Sequence, residues 1–332
     1  MFKILFAPLQ GYTTGIYRKA HAEFIGGVDA YYAPFLRIEN GAPRAKDLRD
    51  LEIDCKSESS NNACCSNAKI VPQIIANSVT EFKTLAKALQ KASFEEIDFN
   101  MGCPFPMQVN HHRGAGLLSD AETVKVIMEE VAKSSAKFSI KMRLGQNSPD
   151  EAFAILPILN DTPLAHITLH PRLGKQQYKG ALDFKSFERF YNECKHPLYF
   201  NGDITSIEQI KELERKFPKL AGVMIGRGLL ANPFLAEEYK ASEVPAGMVT
   251  PNGTLPQSGS ERLSVILKMH EALLDYACST YQGDSQILSH LQTFWEYQEA
   301  NLPKKVFKKI RKAGKLEEYR SAASMLAQGG AQ

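Results

Sequence analysis

Short β-branched or apolar runs bounded by turn residues recur eight times along the chain, at 4–7, 30–33, 70–74, 96–100, 138–142, 165–169, 198–200 and 222–225. Their length and flanks predict strands. Between them lie longer segments at 79–91, 120–133, 149–160, 184–195 and 206–217, where apolar residues return every three or four positions. That spacing predicts helices with one buried face. Strand and helix alternate, and eight such units predict a (β/α)8 TIM barrel, because a doubly wound sheet usually stops near ~6 strands.

Two stretches break the alternation. From 37 to 69 the chain is polar and rich in Ser and Asn, which predicts an oversized loop. From 242 to 260 it carries Pro245, Gly247, Pro251, Gly253, Pro256 and Gly259, which predicts a linker. Beyond it, from 261 to 327, helical periodicity holds and no strand-like run occurs, so a small C-terminal helical bundle is expected. The expected division is therefore a catalytic barrel at 1–241, a linker at 242–260 and a helical domain at 261–327.

The composition of the 332 residues, 44% hydrophobic and 23% charged, is that of an ordinary globular protein and excludes disordered and collagenous classes. The early apolar stretch, Ile4 to Leu9, is far short of the ~20 residues of a membrane span, and no signal-peptide pattern precedes it. A cytoplasmic protein without membrane association is expected. The six cysteines form no CxxC pair, which predicts reduced thiols. Cys55, Cys64 and Cys65 lack a histidine at zinc spacing, so no metal is expected. A net charge of +3 does not by itself imply nucleic acid. Seven cations without an acid between Pro303 and Leu316 do stand out, with Lys304, Lys305, Lys308, Lys309 and Lys312 gathered on one helical face. By itself such a face is more often simply solvated.

In a barrel of this kind the active site lies at the carboxyl ends of the strands. Those ends are polar here: Gln10, Gln73, Asn100 with Cys103, Lys141 with Arg143, His170 with Arg172, Asn201-Gly202-Asp203, and Gly226-Arg227-Gly228. The last two endings join glycine amides to a guanidinium, which predicts a phosphate cradle. No GxGxxG is present, so a Rossmann dinucleotide site is unsupported. A phosphate cradle with Lys141, Gln73 and His170 on neighbouring strands suits flavin mononucleotide, whose reduced ring carries negative charge that Lys141 can neutralise. Cys103, between Gly102 and Pro104 at a strand end, is expected to be a reactive thiol that is mostly protonated at neutral pH.

The chain resembles the tRNA-dihydrouridine synthases. Ala7-Pro8-Leu9-x-Gly11 is similar to the opening motif of that family, with Leu9 replacing methionine. Ile97-Asp98-Phe99-Asn100-Met101-Gly102-Cys103-Pro104 looks like its cysteine signature, and Gly114-Ala115-Gly116-Leu117-Leu118 follows it. Lys141-Met142-Arg143-Leu144-Gly145, His170-x-Arg172, Gln177-Tyr178-x-Gly180, Asn201-Gly202-Asp203 and Met224-Ile225-Gly226-Arg227-Gly228 complete the set in order.

The resemblance implies FMN as cofactor, NADPH or NADH as reductant and tRNA as partner. It implies a flavin site of Pro8, Leu9, Gln10, Gln73, Lys141, His170, Asn201, Gly202, Asp203, Gly226 and Arg227, with Cys103 as proton donor. Asn100, Arg143 and Arg172 are expected to contact the uridine or its phosphate, and the basic helical face the tRNA backbone. A monomer with no protein partner is expected. Two other readings stand beside this one: an FMN barrel acting on a free pyrimidine, and a tRNA-binding protein with a vestigial flavin site.

Overall fold

The computed structural model describes residues 2–55, 69–243 and 255–329. Eight parallel strands form the centre: β1 (Lys3–Phe6), β2 (Ala30–Tyr32), β3 in two pieces (Ile70–Val71 and Gln73–Ile74), β4 (Glu96–Met101), β5 (Lys137–Gly145), β6 (Leu164–Leu173), β7 (Leu198–Asn201) and β8 (Leu220–Ile225). Going round the sheet the order is β3, β2, β1, β8, β7, β6, β5, β4 and β3 again. The two ends of that order are halves of one strand interrupted at Pro72, so the sheet closes into a barrel. Proline has no N–H for the ladder, which accounts for the break.

The period of two along each strand sorts the side chains. On β5, Phe138, Ile140 and Met142 join the large core under the outer helices, leaving Ser139, Lys141 and Arg143 to the barrel side. On β1, β2, β3, β7 and β8 the inner residues are Leu5, Ala30, Tyr32, Val71, Tyr199 and Met224, a separate cluster that fills the lower barrel.

The expected helices are present as α3 (Val79–Lys91), α5 (Ala121–Lys133), α6 (Asp150–Asn160), α7 (Phe184–Glu193) and α8 (Ile207–Lys216). Ser78, Asp120, Asp183 and Ser206 cap four of them by accepting from a backbone N–H in the first turn. Four further helices join them: α1 (Gly15–Phe24), which is as long as α7 and α8, and the shorter α4 (Pro106–Val109), α9 (Arg227–Ala231) and α10 (Leu235–Ser242).

The polar stretch at 37–69 differs from the expected loop. It begins with a two-stranded hairpin, Ile38–Glu39 against Ala42–Pro43, and continues as helix α2 (Ala45–Cys55). Helix α2 packs Leu48 and Leu51 on the core and is also held to α1 by polar groups: Gly15 N–H donates to Asp50 Oδ1 at 2.8 Å, and the buried Arg18 pairs with Asp50 at 3.2 Å. Cys64 and Cys65 lie outside the described residues, as does most of the expected linker.

After it come α11 (Gly259–Thr280), α12 (Asp284–Glu296), α13 (Lys304–Lys312) and α14 (Leu316–Gly329). Trp295 is fully buried at their centre and donates to Tyr319 Oη at 2.9 Å, which also bonds His270 Nε2 at 2.7 Å. This bundle rests on the barrel mouth. Gln298 donates to the Leu230 carbonyl at 2.6 Å, Tyr12 donates to Glu296 at 2.9 Å, and the Tyr12 and Tyr297 rings meet edge to face at 5.2 Å. No helix among the described residues is long and apolar enough to cross a membrane.

Candidate active site

At the carboxyl ends of the strands lies a cavity of about 440 Å³. Pro8, Leu9 and Gln10 line it from the end of β1, Gln73 from β3, Asn100 and Cys103 from β4, and Lys141 and Arg143 from β5. His170 comes from β6, Asn201, Gly202 and Asp203 from β7, and Gly226 and Arg227 from β8. Strand register brings these together, setting Lys141 beside Asn100 and Thr168, and Arg143 beside His170.

Beneath the cavity runs a one-way hydrogen-bond chain. The N–H groups of Gly102 and Cys103 donate to Asn100 Oδ1 at 3.0 and 2.8 Å. Asn100 Nδ2 donates to Gln73 Oε1 at 2.7 Å, and Gln73 Nε2 donates to Asp98 Oδ2 at 2.6 Å. Ser139 Oγ donates to the other Asp98 oxygen at 2.7 Å. A backbone N–H only donates and a carboxylate only accepts, so both amides are fixed and neither can flip. Asn100 thereby ties the cysteine loop to the barrel interior.

Asp98 is fully buried, and burial pushes its carboxyl up to about 6, opposed by the bonds from Gln73 and Ser139 and by the charge of Lys141. Neither Asp98 nor Ser139 was singled out from sequence. The alternation along β4 was the available signal, since it places Asp98 on the same face as Asn100.

Cys103 sits on a loop clamped from behind. Ala115 N–H donates to the Cys103 carbonyl at 3.0 Å, and the left-handed Gly114 (φ +60°) packs so closely that a Cβ there would lie 2.8 Å from the Cys103 Cβ. Burial pushes the Cys103 thiol up, opposed by the Phe105 backbone and by Arg143 and Lys141, which keeps it protonated at neutral pH. Lys141 has no hydrogen-bond or ion-pair partner among the described residues, and burial lowers its ammonium to about 8. Arg143 donates to the Leu173 carbonyl at 2.8 Å and stays cationic although burial lowers it to about 10.

His170 is held well below its ordinary value, first by burial and then by Arg143, Lys141, Arg172 and Arg227, so it is neutral. Arg172 lies 3.2 Å from its Nε2 and can only donate, which places the imidazole proton on Nδ1.

Arg172 does not line the cavity. Its guanidinium is buried and divided between the Gly180 carbonyl and Asp203, so it braces the mouth from below. Among the described residues its partners are the Gly180 carbonyl, His170 and Asp203. Asp203 bridges Arg172 and Arg227, the latter at 2.8 Å, and these two arginines hold its carboxyl below the usual range. Arg227 also lies over the Tyr178 ring at 4.8 Å.

The backbone N–H groups of Gly202, Asp203, Arg227 and Gly228 donate to no other described residue. Gly228 is required where it stands, because a Cβ there would collide with the Ile204 carbonyl. Tyr297, at the end of α12, also lines the cavity, and only tertiary packing brings it there.

The lysines at 304, 305, 308, 309 and 312 lie on the exposed face of α13, away from the cavity, while Val306, Phe307 and Ile310 are buried. No acid pairs with them among the described residues.

Comparison with known proteins places this arrangement. A "Probable tRNA-dihydrouridine synthase" of Rickettsia conorii is 27% identical over 279 residues, covering 82% of this chain and 78% of the relative. A tRNA-dihydrouridine(16) synthase of Pseudomonas putida is 25% identical over 243 residues, covering 72% and 74%. Among solved structures, morphinone reductase in complex with tetrahydroNAD has a TM-score of 0.53 at 10% identity, covering 73% of this chain and 87% of that one, a likeness of fold. The profile of the family described as "Dihydrouridine synthase (Dus)" matches residues 5–327, from the first barrel strand to the last helix. With its cysteine loop, strand-end lysine and glycine-lined mouth inside that match, the chain belongs to the dihydrouridine synthase family.

Proposed function

We propose that this chain is an FMN-dependent tRNA-dihydrouridine synthase that uses NADPH or NADH to saturate the C5=C6 bond of uridines in tRNA. The observation that carries the reading is one cavity in which a protonated thiol, a half-buried ammonium with no partner among the described residues and a set of undonated backbone amides converge. The donor set fits a phosphorylated flavin. The amides at Gly202, Asp203, Arg227 and Gly228, with Arg227 beside them, would hold the phosphate. Lys141, Gln73 and the Nδ1–H of His170 would face the ring, where Lys141 offsets negative charge.

A reduced flavin held there would supply a hydride to C6 of uracil. C6 is the electrophilic end of a system conjugated to the C4 carbonyl, so charge develops toward C5 and O4. Cys103 then gives its thiol proton to C5, forming the C5–H bond, and the thiolate regains a proton from solvent. The raised thiol value serves that task by keeping the proton in place beforehand. Arg143 remains charged and is fixed by Leu173, which suits it to hold the uracil edge or its phosphate with Asn100. Because a stacked base cannot reach a cavity of this depth, the uridine is extruded or already unpaired.

The barrel at 1–241 is the catalytic part in this reading, and the helices at 261–327 hold the tRNA through the lysines of α13. The test is anaerobic: purified yellow protein should bleach with NADPH and recover its colour when unmodified tRNA transcript is added. Recovery with free uridine alone and none with tRNA would contradict the proposal.

A further inference from the structure

Large apolar side chains left open to solvent are few among the described residues. The three most exposed among the described residues are Phe105 at 59%, Met107 at 54% and Tyr178 at 49%, and all three border one groove. The groove has a volume of about 800 Å³ and continues out of the cavity, with Cys103, Pro104 and Tyr178 common to both. Exposed apolar surface gathered in one place marks an interaction surface.

The local chain holds Phe105 and Met107 outward. The Phe105 carbonyl accepts from Gln108 N–H at 2.8 Å and from Val109 N–H at 3.1 Å, and Pro106 opens the short helix α4. Arg113 N–H donates back to the Gln108 carbonyl at 2.9 Å, and the Arg113 side chain pairs with Glu81 on α3. The two side chains therefore stand on a braced turn two and four residues after the thiol. Gln108, buried and lining the same groove, has an Oε1 atom with no partner among the described residues. Arg37 and Arg44 line the groove as well, beside Asp47. Glu39 pairs with both arginines at 3.5 and 3.4 Å, Asp47 pairs with Arg44 at 3.5 Å, and Arg227 lines the groove at its inner end.

We propose that this groove seats the nucleotides adjoining the uridine that enters the cavity, with a base lying against Phe105 and Met107. The inference rests on the tRNA reading above. A uridine that leaves its stack deprives its neighbours of a stacking partner, and an aromatic face beside the cavity returns that contact whatever the base. Since the groove and the cavity share Cys103 and Pro104, a strand whose uracil reaches the thiol has the groove beside its neighbouring nucleotides. Aromatic surface combined with arginines is the composition of a single-stranded nucleic acid platform, and it suits a phosphate-bearing strand better than an apolar peptide.

The test compares Phe105→Ala, Met107→Ala, the double variant and Phe105→Trp in the flavin-loaded full chain. Alanine at 105 should raise KM for tRNA transcript roughly five- to a hundredfold, with flavin content and the salt dependence of KM unchanged. Tryptophan should restore KM. A single-stranded uridine oligonucleotide with 2-aminopurine beside the uridine should lose fluorescence on the wild type and keep it on the double variant. An unchanged KM and equal quenching in the double variant would overturn the proposal. So would light scattering showing a wild-type dimer that the variants convert to monomer, since the groove would then be a self-association surface. If wild-type chain forms no dihydrouridine, the functional reading fails, and the quenching comparison still decides whether the groove binds bases.

Discussion

The barrel mouth and helix α13 are both rich in cations, yet they hold them in opposite ways. Lys141, Arg143 and Arg172 stand inside low-dielectric surroundings, with pKa values bent by burial or side chains fixed by carbonyls and Asp203. The lysines of α13 are exposed and have no acidic partner among the described residues. Buried charges act singly and are poorly screened, whereas exposed ones act by number and fade with salt. In the proposed reading the mouth therefore orients small groups, and the helix retains the large polyanion.

The largest expected effect lies in the mouth and involves no cation. Cys103→Ala should retain flavin and its reduction by NADPH but lower dihydrouridine formation ~10²–10⁴-fold, as expected for loss of a general acid. Turnover at the wild-type rate would return Cys103 to a packing role.

Arg227→Ala comes next. A charge-assisted bond of ~1.5–3 kcal/mol predicts roughly ten- to a hundredfold weaker FMN binding, measured by titrating flavin-free protein. Asp203 would then face the cradle with only Arg172 to balance it, which acts in the same direction.

The chain of amides below Cys103 gives a comparison within the mouth. Asp98→Asn should leave the loop in place, because Ser139 can turn its hydroxyl round and accept while the new carbonyl still accepts from Gln73. Asp98→Leu should leave Gln73 without its buried acceptor, a loss of ~1–3 kcal/mol, and speed alkylation of Cys103 by iodoacetamide. Equal alkylation rates in both variants would show that the loop does not depend on this chain.

Lys141 adds a pH effect whose sign is fixed. In the flavin-free chain it is charged below about 8 and neutral above. The anionic reduced ring prefers the charged form, so affinity for reduced FMN should be level below that value and fall as pH rises through it, with Lys141→Met removing the dependence.

The smallest effects belong to α13. Replacing Lys304, Lys308 and Lys312 with glutamine should weaken tRNA binding and flatten its salt dependence, each lost phosphate contact removing ~0.9 from the slope of log affinity against log salt on a duplex scale. Flavin content should not change. An unaltered slope would make this an ordinary solvated face.

The sequence carried most of this architecture because strands and long amphipathic helices announce themselves by period. Lys141 was legible as cavity-facing for the same reason, lying between Ile140 and Met142, which are outward by alternation. What remained hidden depends on contacts between distant loops. Arg172 reads as a free cation beside His170 until Asp203 and the Gly180 carbonyl are seen to occupy it. Helix α2 is hard to read from sequence because only Leu48 and Leu51 of it pack on the core, and much of its contact with α1 is made by Asp50 with Gly15 and Arg18. Tyr297 reaches the cavity from another part of the chain altogether, through packing that no local pattern encodes.

The central claim is that this chain reduces uridine in tRNA with Cys103 as the acid. Its most direct test is nucleoside mass mapping of tRNA from a strain lacking the gene, complemented with the wild-type chain or with Cys103→Ala. The account predicts that specific uridines gain two hydrogens with the wild type and remain unreduced with the variant. Absence of dihydrouridine with the wild type, or equal dihydrouridine with both, would contradict it.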